Sequence, residues 1–300
     1  MGAPTPNQQT GPDPISGGAM PPIVTVDWLR HHVETGPTPD DLALVDVRWY
    51  LDGRSGLDAY RAGHIPGAVF VDLDTDLAAP ADSVNGRHPL PTPDDFAAAL
   101  GRAGVGDATP VVAYDDTGGG SAARLVWMLR VLGLPAALLD GGLPAWDGDV
   151  ATGDEFRPPT ARTTLPWPDD RFLDTATVRG LLDDPSTLLV DARARGRYTG
   201  QEPAAVDPRP GHVPGAYNAP WQDLLDASGQ LGSPERVRAR LTELGVPDDA
   251  RNPIAYCGSG VSACLDLVAM EHAGLPAGRL YVGSWSAWGA DHTLPNETTP

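Results

Sequence analysis

The chain has 300 residues, 41% of them apolar and 20% charged, enough for two ordinary domains with a core in each. Its formal charge of −19 repels phosphate backbones and anionic lipid surfaces, so neither nucleic acid nor membrane is expected as a partner. No apolar run approaches the roughly 20 residues of a membrane span, and two cysteines cannot build a disulfide framework, which suits a reducing, cytoplasmic setting.

Taken from the amino terminus, residues 1–21 lack the basic start and apolar middle of a secretory signal and read as a disordered leader. Leu42–Val47 is a short apolar run of the kind that forms a buried parallel strand. Asp94–Ala103 carries Phe96, Leu100 and Ala103 at helical spacing. Pro110–Tyr114 is a second strand, Ala122–Leu132 a helix and Ala136–Leu139 a third strand. A linker, residues 147–170, follows, with Pro158, Pro159, Pro166 and Pro168. Beyond it Leu188–Asp191, Glu235–Leu244, Pro253–Tyr256, Ala263–Ala273 and Arg279–Val282 repeat the alternation. Strands alternating with helices predict an α/β fold, each half a mainly parallel sheet flanked by helices.

The two halves echo each other in sequence as well as pattern. Leu44-Val-Asp-Val-Arg48 matches Leu189-Val-Asp-Ala-Arg193, and Gly63-His-Ile-Pro-Gly-Ala68 matches Gly211-His-Val-Pro-Gly-Ala216. Val112-Ala-Tyr114 matches Ile254-Ala-Tyr256, Leu139-Asp-Gly-Gly142 matches Tyr281-Val-Gly-Ser284, and Trp146 and Trp288 close the units. One domain has been duplicated, which sets the expected units at residues 22–146 and 171–300. His64 and His212 lie in the repeated turn, so a structural role is expected for both.

Both cysteines fall in Ala255-Tyr-Cys-Gly-Ser-Gly-Val-Ser-Ala-Cys264. Cys257 directly follows a strand, and a helix begins a few residues later, where ligands of parallel sheets gather. Gly258 and Gly260 let the backbone curl until successive N–H groups point inward as a nest, with the positive end of the helix behind them. A thiol held there ionises more readily, and an accessible one would be a reagent. The alternative is that Cys257 is simply a small buried apolar residue, the reading that Cys264, inside the helix, retains. Gly118-Gly-Gly-Ser-Ala-Ala123, with Asp140 downstream, has the outline of a dinucleotide fingerprint. It carries little weight, because the same strand, loop and helix recur around Cys257.

With these motifs in place, the chain from Pro22 to Trp288 resembles the rhodanese superfamily, in particular its two-domain sulfurtransferases. Tyr60-Arg-Ala-Gly-His-Ile-Pro-Gly-Ala68 is similar to that family's first signature, and the Cys257 loop is similar to its active-site loop. The resemblance implies that only the second domain is catalytic; Asp115 stands at the cysteine position of the first. Thiosulfate-type members follow the cysteine with cationic residues, whereas mercaptopyruvate-type members carry Cys-Gly-Ser-Gly-Val-Thr/Ser. Gly258, Ser259, Gly260, Val261 and Ser262 resemble the second type. Related phosphatases need an arginine six residues after the cysteine, and here that residue is Ala263.

The same resemblance assigns Arg197, in Gly196-Arg197-Tyr198, to the substrate carboxylate and carbonyl. The family's second substrate arginine would fall at Val206, and Arg209 is the candidate to replace it. Val71-Asp-Leu-Asp74 and Arg87-His-Pro-Leu-Pro91 resemble the segments that supply an aspartate and a histidine to the loop serine, which implies a Ser259–His88–Asp74 relay. The expected reaction moves sulfur from 3-mercaptopyruvate, a small-molecule donor, through a Cys257 persulfide cradled by backbone N–H groups of residues 258–263. The acceptor would be thioredoxin, a small thiol or cyanide, and neither cofactor nor metal is expected. Two alternatives stay open: thiosulfate as the donor, or a non-catalytic sulfur-carrier or redox-responsive binding module.

Overall fold

The computed structural model describes residues 20–35, 42–248, 253–276 and 278–298. Residues 1–19 of the expected leader lie outside it, but Met20 is buried and its carbonyl accepts from Arg130. The first half runs β1 (Ile23–Val24), α1 (Val26–Thr35), β2 (Ala43–Asp46), α2 (Gly56–Ala62), β3 (Val69–Phe70), α3 (Pro93–Arg102), β4 (Val111–Tyr114), α4 (Ala122–Val131), β5 (Ala136–Leu139) and α5 (Gly142–Ala145). The second runs β6 (Phe172–Leu173), α6 (Thr175–Leu181), β7 (Leu189–Asp191), α7 (Arg195–Thr199), β8 (Tyr217–Asn218), α8 (Pro234–Glu243), β9 (Ile254–Tyr256), α9 (Ala263–His272), β10 (Arg279–Tyr281) and α10 (Ser284–Trp288), with a 3-10 turn at Trp221–Leu224. Each half is a five-stranded parallel sheet, ordered β1-β5-β4-β2-β3 and β6-β10-β9-β7-β8. The two orders are the same order, as a duplicated unit requires.

Local chemistry repeats with the topology. Thr92 caps α3 by accepting from the Asp95 N–H, with Pro93 in the first turn, and Ser233 and Pro234 do the same for α8. A buried Asp46–Arg48 pair ends β2, and its guanidinium also donates to the Gly63 carbonyl; Asp191–Arg193 and Gly211 repeat that brace. His64 and His212 are buried, each stacked on a tyrosine (Tyr60 and Tyr198) and each placing Nδ1 on that tyrosine's carbonyl oxygen. That is the structural role expected of the repeated turn.

The halves join through α4 and α9, which pack together within one continuous apolar core. Arg130 of α4 forms an ion pair with Glu271 of α9 at 2.5 Å. Residues 157–167 are no free tether: Thr160 donates to Gly101, Arg157 to Leu42 and Trp167 to Pro91, strapping the segment to the first half. Among the described residues no helix is long and apolar enough to cross a membrane.

Candidate active site

The loop from Cys257 to Ser262 joins β9 to α9. Gly260 has φ +74° and sits so close to Val282 that a Cβ there would lie 2.7 Å from its carbonyl oxygen, so no other residue fits this bend. The strand-to-helix turn at β10 and α10 clamps the loop from below. The Cys257 N–H donates to Ser284 Oγ, and the Cys257 and Gly258 carbonyls accept from the N–H groups of Trp285 and Ser286. Ser284 holds a left-handed φ of 50°, and its counterpart in the first half, Gly142, holds φ +56°. The turn is therefore part of the shared fold, and the serine bears its strain where its hydroxyl can reach the cysteine backbone.

Cys257 is 2% exposed, more enclosed than the accessible thiol expected from sequence. Burial would push this thiol up. Hydrogen bonds from the Ser262 hydroxyl and from the N–H groups of Ser259, Ala263 and Val261 outweigh that penalty and hold its pKa below the ordinary thiol value. The enclosure and the ionisation have one cause, since the loop that donates these bonds has to wrap the sulfur. Burial instead pushes Cys264 up; it is fully enclosed in the apolar core, and its thiol donates to the Gly260 carbonyl at 3.5 Å.

The first half contains its own control for this anion nest. Asp115 occupies the cysteine position, and its carboxylate accepts from the N–H groups of Thr117, Gly119, Ser121 and Ala122 at 2.8 to 3.0 Å. Thr117, Gly119 and Ser121 correspond in register to Ser259, Val261 and Ala263 around the thiol. The same bend thus holds a carboxylate in one copy and a sulfur in the other. It also disposes of the dinucleotide outline at Gly118–Ala123, because the chain's own carboxylate fills that cradle. Asp140 is likewise engaged, accepting from the Leu231 and Gly232 N–H groups of the other half.

Ser259, His88 and Asp74 come together across the domain boundary: Ser259 Oγ lies 2.8 Å from His88 Nδ1, and His88 Nε2 lies 2.9 Å from Asp74 Oδ1. Trp49, which the sequence reading missed, donates its indole N–H to the other Asp74 oxygen and sets its ring edge-on to His88. Burial, reinforced by the charge of Arg124, lowers the His88 pKa to about 4 against the opposing pull of Asp74. The imidazole is then neutral at pH 7. A carboxylate only accepts, so the ring proton sits on Nε2 and Nδ1 is left to accept from the serine hydroxyl. Arg124, also unforeseen, is fully buried in α4 and donates to the carbonyls of Leu77, His88, Pro89 and Gly260. It ties the histidine segment to the cysteine loop.

Arg197 reaches the loop. Its Nε and Nη2 donate to Asp207 at 2.8 and 2.5 Å, and the same Nη2 lies 3.0 Å from where a Gly258 Cβ would stand. Arg209, the candidate for the second substrate guanidinium, is engaged by other groups. Arg209 donates to the carbonyls of Leu294 and Trp288 and lies over the Trp285 ring, because the carboxyl-terminal segment folds back across its loop. Val206 is 36% exposed. The second nitrogen over Gly258 belongs to Arg87, at 2.9 Å from the same Cβ position. Its position next to His88 in the sequence was the available clue. A cavity of about 1240 Å³ opens beside the site, between the loop that carries Asp82 and Leu90 and the segment that carries Gly283 and Leu294; Cys257 does not line it.

Comparison with known proteins agrees with this architecture. The rhodanese-like domain family matches twice, over residues 25–149 and 174–291. The chain is 43% identical over 270 residues to a probable 3-mercaptopyruvate sulfurtransferase of Pseudomonas aeruginosa, covering 86% of this chain and 93% of that one. It is 37% identical over 282 residues to the putative thiosulfate sulfurtransferase SseB of Mycobacterium tuberculosis, covering 91% and 95%. The crystal structure of the 3-mercaptopyruvate sulfurtransferase SseA from Escherichia coli superposes with a TM-score of 0.73 at 29% identity, covering 89% of this chain and 100% of that one. Duplicated sheets, a cysteine cradled by amides in only one of them and this sequence similarity lead to one conclusion: the chain belongs to the rhodanese family and is a two-domain sulfurtransferase.

Proposed function

We propose that the protein takes sulfur from 3-mercaptopyruvate, carries it as a persulfide on Cys257 and hands it to a reduced thiol. The observation that carries this reading is the Ser259–His88–Asp74 chain ending 2 residues from a thiol whose pKa the loop amides lower. The Cys257 thiolate attacks the donor sulfur. The sulfur–carbon bond breaks, and its electron pair passes to C3 as the enolate of pyruvate. The proton of the donor thiol leaves through Ser259 and His88 Nδ1 and ends on C3, giving pyruvate and an anionic persulfide. Inward-pointing N–H groups that cradle one sulfur anion stabilise the persulfide anion for the same reason. An acceptor thiolate then attacks the outer sulfur and regenerates the Cys257 thiolate. Thioredoxin, or a small thiol in the cytoplasm, supplies that acceptor, and the intracellular reducing pool keeps it reduced.

The neutral residues Gly258 and Ser259 directly after the cysteine support this donor over thiosulfate. A side chain at Gly258 would run into the Arg87 and Arg197 guanidinium groups, so the loop cannot present a cationic residue of its own directly after the cysteine. Mass spectrometry of the intact protein after donor treatment tests the proposal. One sulfur atom should be gained by the natural chain with 3-mercaptopyruvate and none by Cys257→Ser. A higher kcat/KM for thiosulfate than for 3-mercaptopyruvate would overturn the choice of donor.

A further inference from the structure

Arg87 belongs to the first domain, yet its side chain ends over the loop of the second. Gly86 (φ +87°) brings its segment so close to α10 that a Cβ would lie 2.5 Å from Ser286 Oγ and 2.7 Å from the Gly283 carbonyl oxygen. The Arg87 N–H then donates to Ser286 Oγ at 3.1 Å, which fixes where the side chain begins. Its Nη2 and that of Arg197 each lie within 3.0 Å of one point above Gly258, beside the cysteine.

The two cations differ in one respect. Arg197 is neutralised by the two-point bond to Asp207. Arg87 has no ion pair and no side-chain hydrogen bond among the described residues, and its Nε is buried without a partner. Two guanidinium groups directed at one point repel each other, and holding the second half-buried and unpaired is unfavourable unless an anion completes the set. A planar carboxylate presents two oxygens that two guanidinium ends can share.

We infer that Arg87 and Arg197 together clamp the carboxylate of the 2-keto acid donor over Gly258, so that the first domain contributes substrate specificity as well as the proton relay. This rests on the proposed donor. It makes acid recognition depend on correct docking of the two domains, since Arg87 arrives only when Gly86 seats against α10.

Steady-state kinetics with 3-mercaptopyruvate test it. Losing one charged hydrogen-bonding partner should raise KM roughly 10- to 100-fold in Arg87→Gln, with kcat changed far less. Arg87→Lys keeps the charge and should recover a substantial part of that loss, which a packing role for the residue would not predict. Because the Arg87 side chain makes no hydrogen bond among the described residues and its charge is unpaired, Arg87→Lys should melt like the natural chain and Arg87→Gln no lower than it. A natural-like KM in Arg87→Gln, a loss confined to kcat, or a lysine variant no better than glutamine would each overturn the inference. The donor assignment fails separately: it falls if the natural chain gains no sulfur from 3-mercaptopyruvate, whatever the Arg87 variants do.

Discussion

Lowering the pH should destabilise this protein, and one part of that loss can be traced to one ring. His88 is 7% exposed, and its pKa falls from 6.5 to about 4 on folding, with burial as the main cause. The folded value lies below the unfolded one. As pH drops through about 6.5 the unfolded chain takes up a proton that the folded chain refuses, so stability falls until both forms are protonated below about pH 4. The full difference corresponds to about 3 kcal/mol, and between about pH 7.5 and about pH 5 the loss is about 2 kcal/mol. Urea melts at those two pH values, on the natural chain and on His88→Gln, isolate the contribution. Carboxylates and the other histidines titrate in both proteins and cancel in the comparison. The natural chain should lose about 2 kcal/mol more than the variant on acidification. Equal losses would mean that the imidazole is not buried neutral, and the Ser259-to-Nδ1 proton path would go with it.

Three further outcomes follow from the site. Ser259→Ala and His88→Gln should each lower kcat roughly 100-fold, and the double variant should be little worse than either single one, because the pair moves one proton; multiplicative losses in the kinetics would count against the relay. Gly258→Ala places a methyl group 2.9 Å from Arg87 Nη2 and 3.0 Å from Arg197 Nη2, so both guanidinium groups must withdraw and KM for the keto acid should rise roughly tenfold or more. Asp115→Ala strands the N–H groups of Thr117, Gly119, Ser121 and Ala122. Urea denaturation of the full chain should register a loss of about 3 kcal/mol or more, since unsatisfied buried amides cost about 1–3 kcal/mol each before water enters.

What could be read in the linear order were the features that repeat or that depend on neighbours along the chain. Each central strand is an apolar run, and Asp94–Ala103 carries helical spacing; the central strands and the helices α3, α4, α8 and α9 fall within a residue or so of their expected bounds, whereas the ten-residue α1 was not foreseen. The strands β1, β3, β6 and β8 are two residues long, too short to carry any period. The duplication and the neutral loop after Cys257 were likewise legible, while Ser259, His88 and Asp74 were singled out only through the family resemblance of the segments that carry them. Contacts between distant segments were not. Arg87 stands beside His88 in sequence, but only the seat of Gly86 on α10, some 200 residues away, turns it toward the cysteine. Arg209 looked equally eligible until the carboxyl-terminal carbonyls claimed it. A long flexible cation can point almost anywhere from its own backbone. Its target is set by which carbonyls and carboxylates the folded chain has left unpaired, and that depends on packing across both domains.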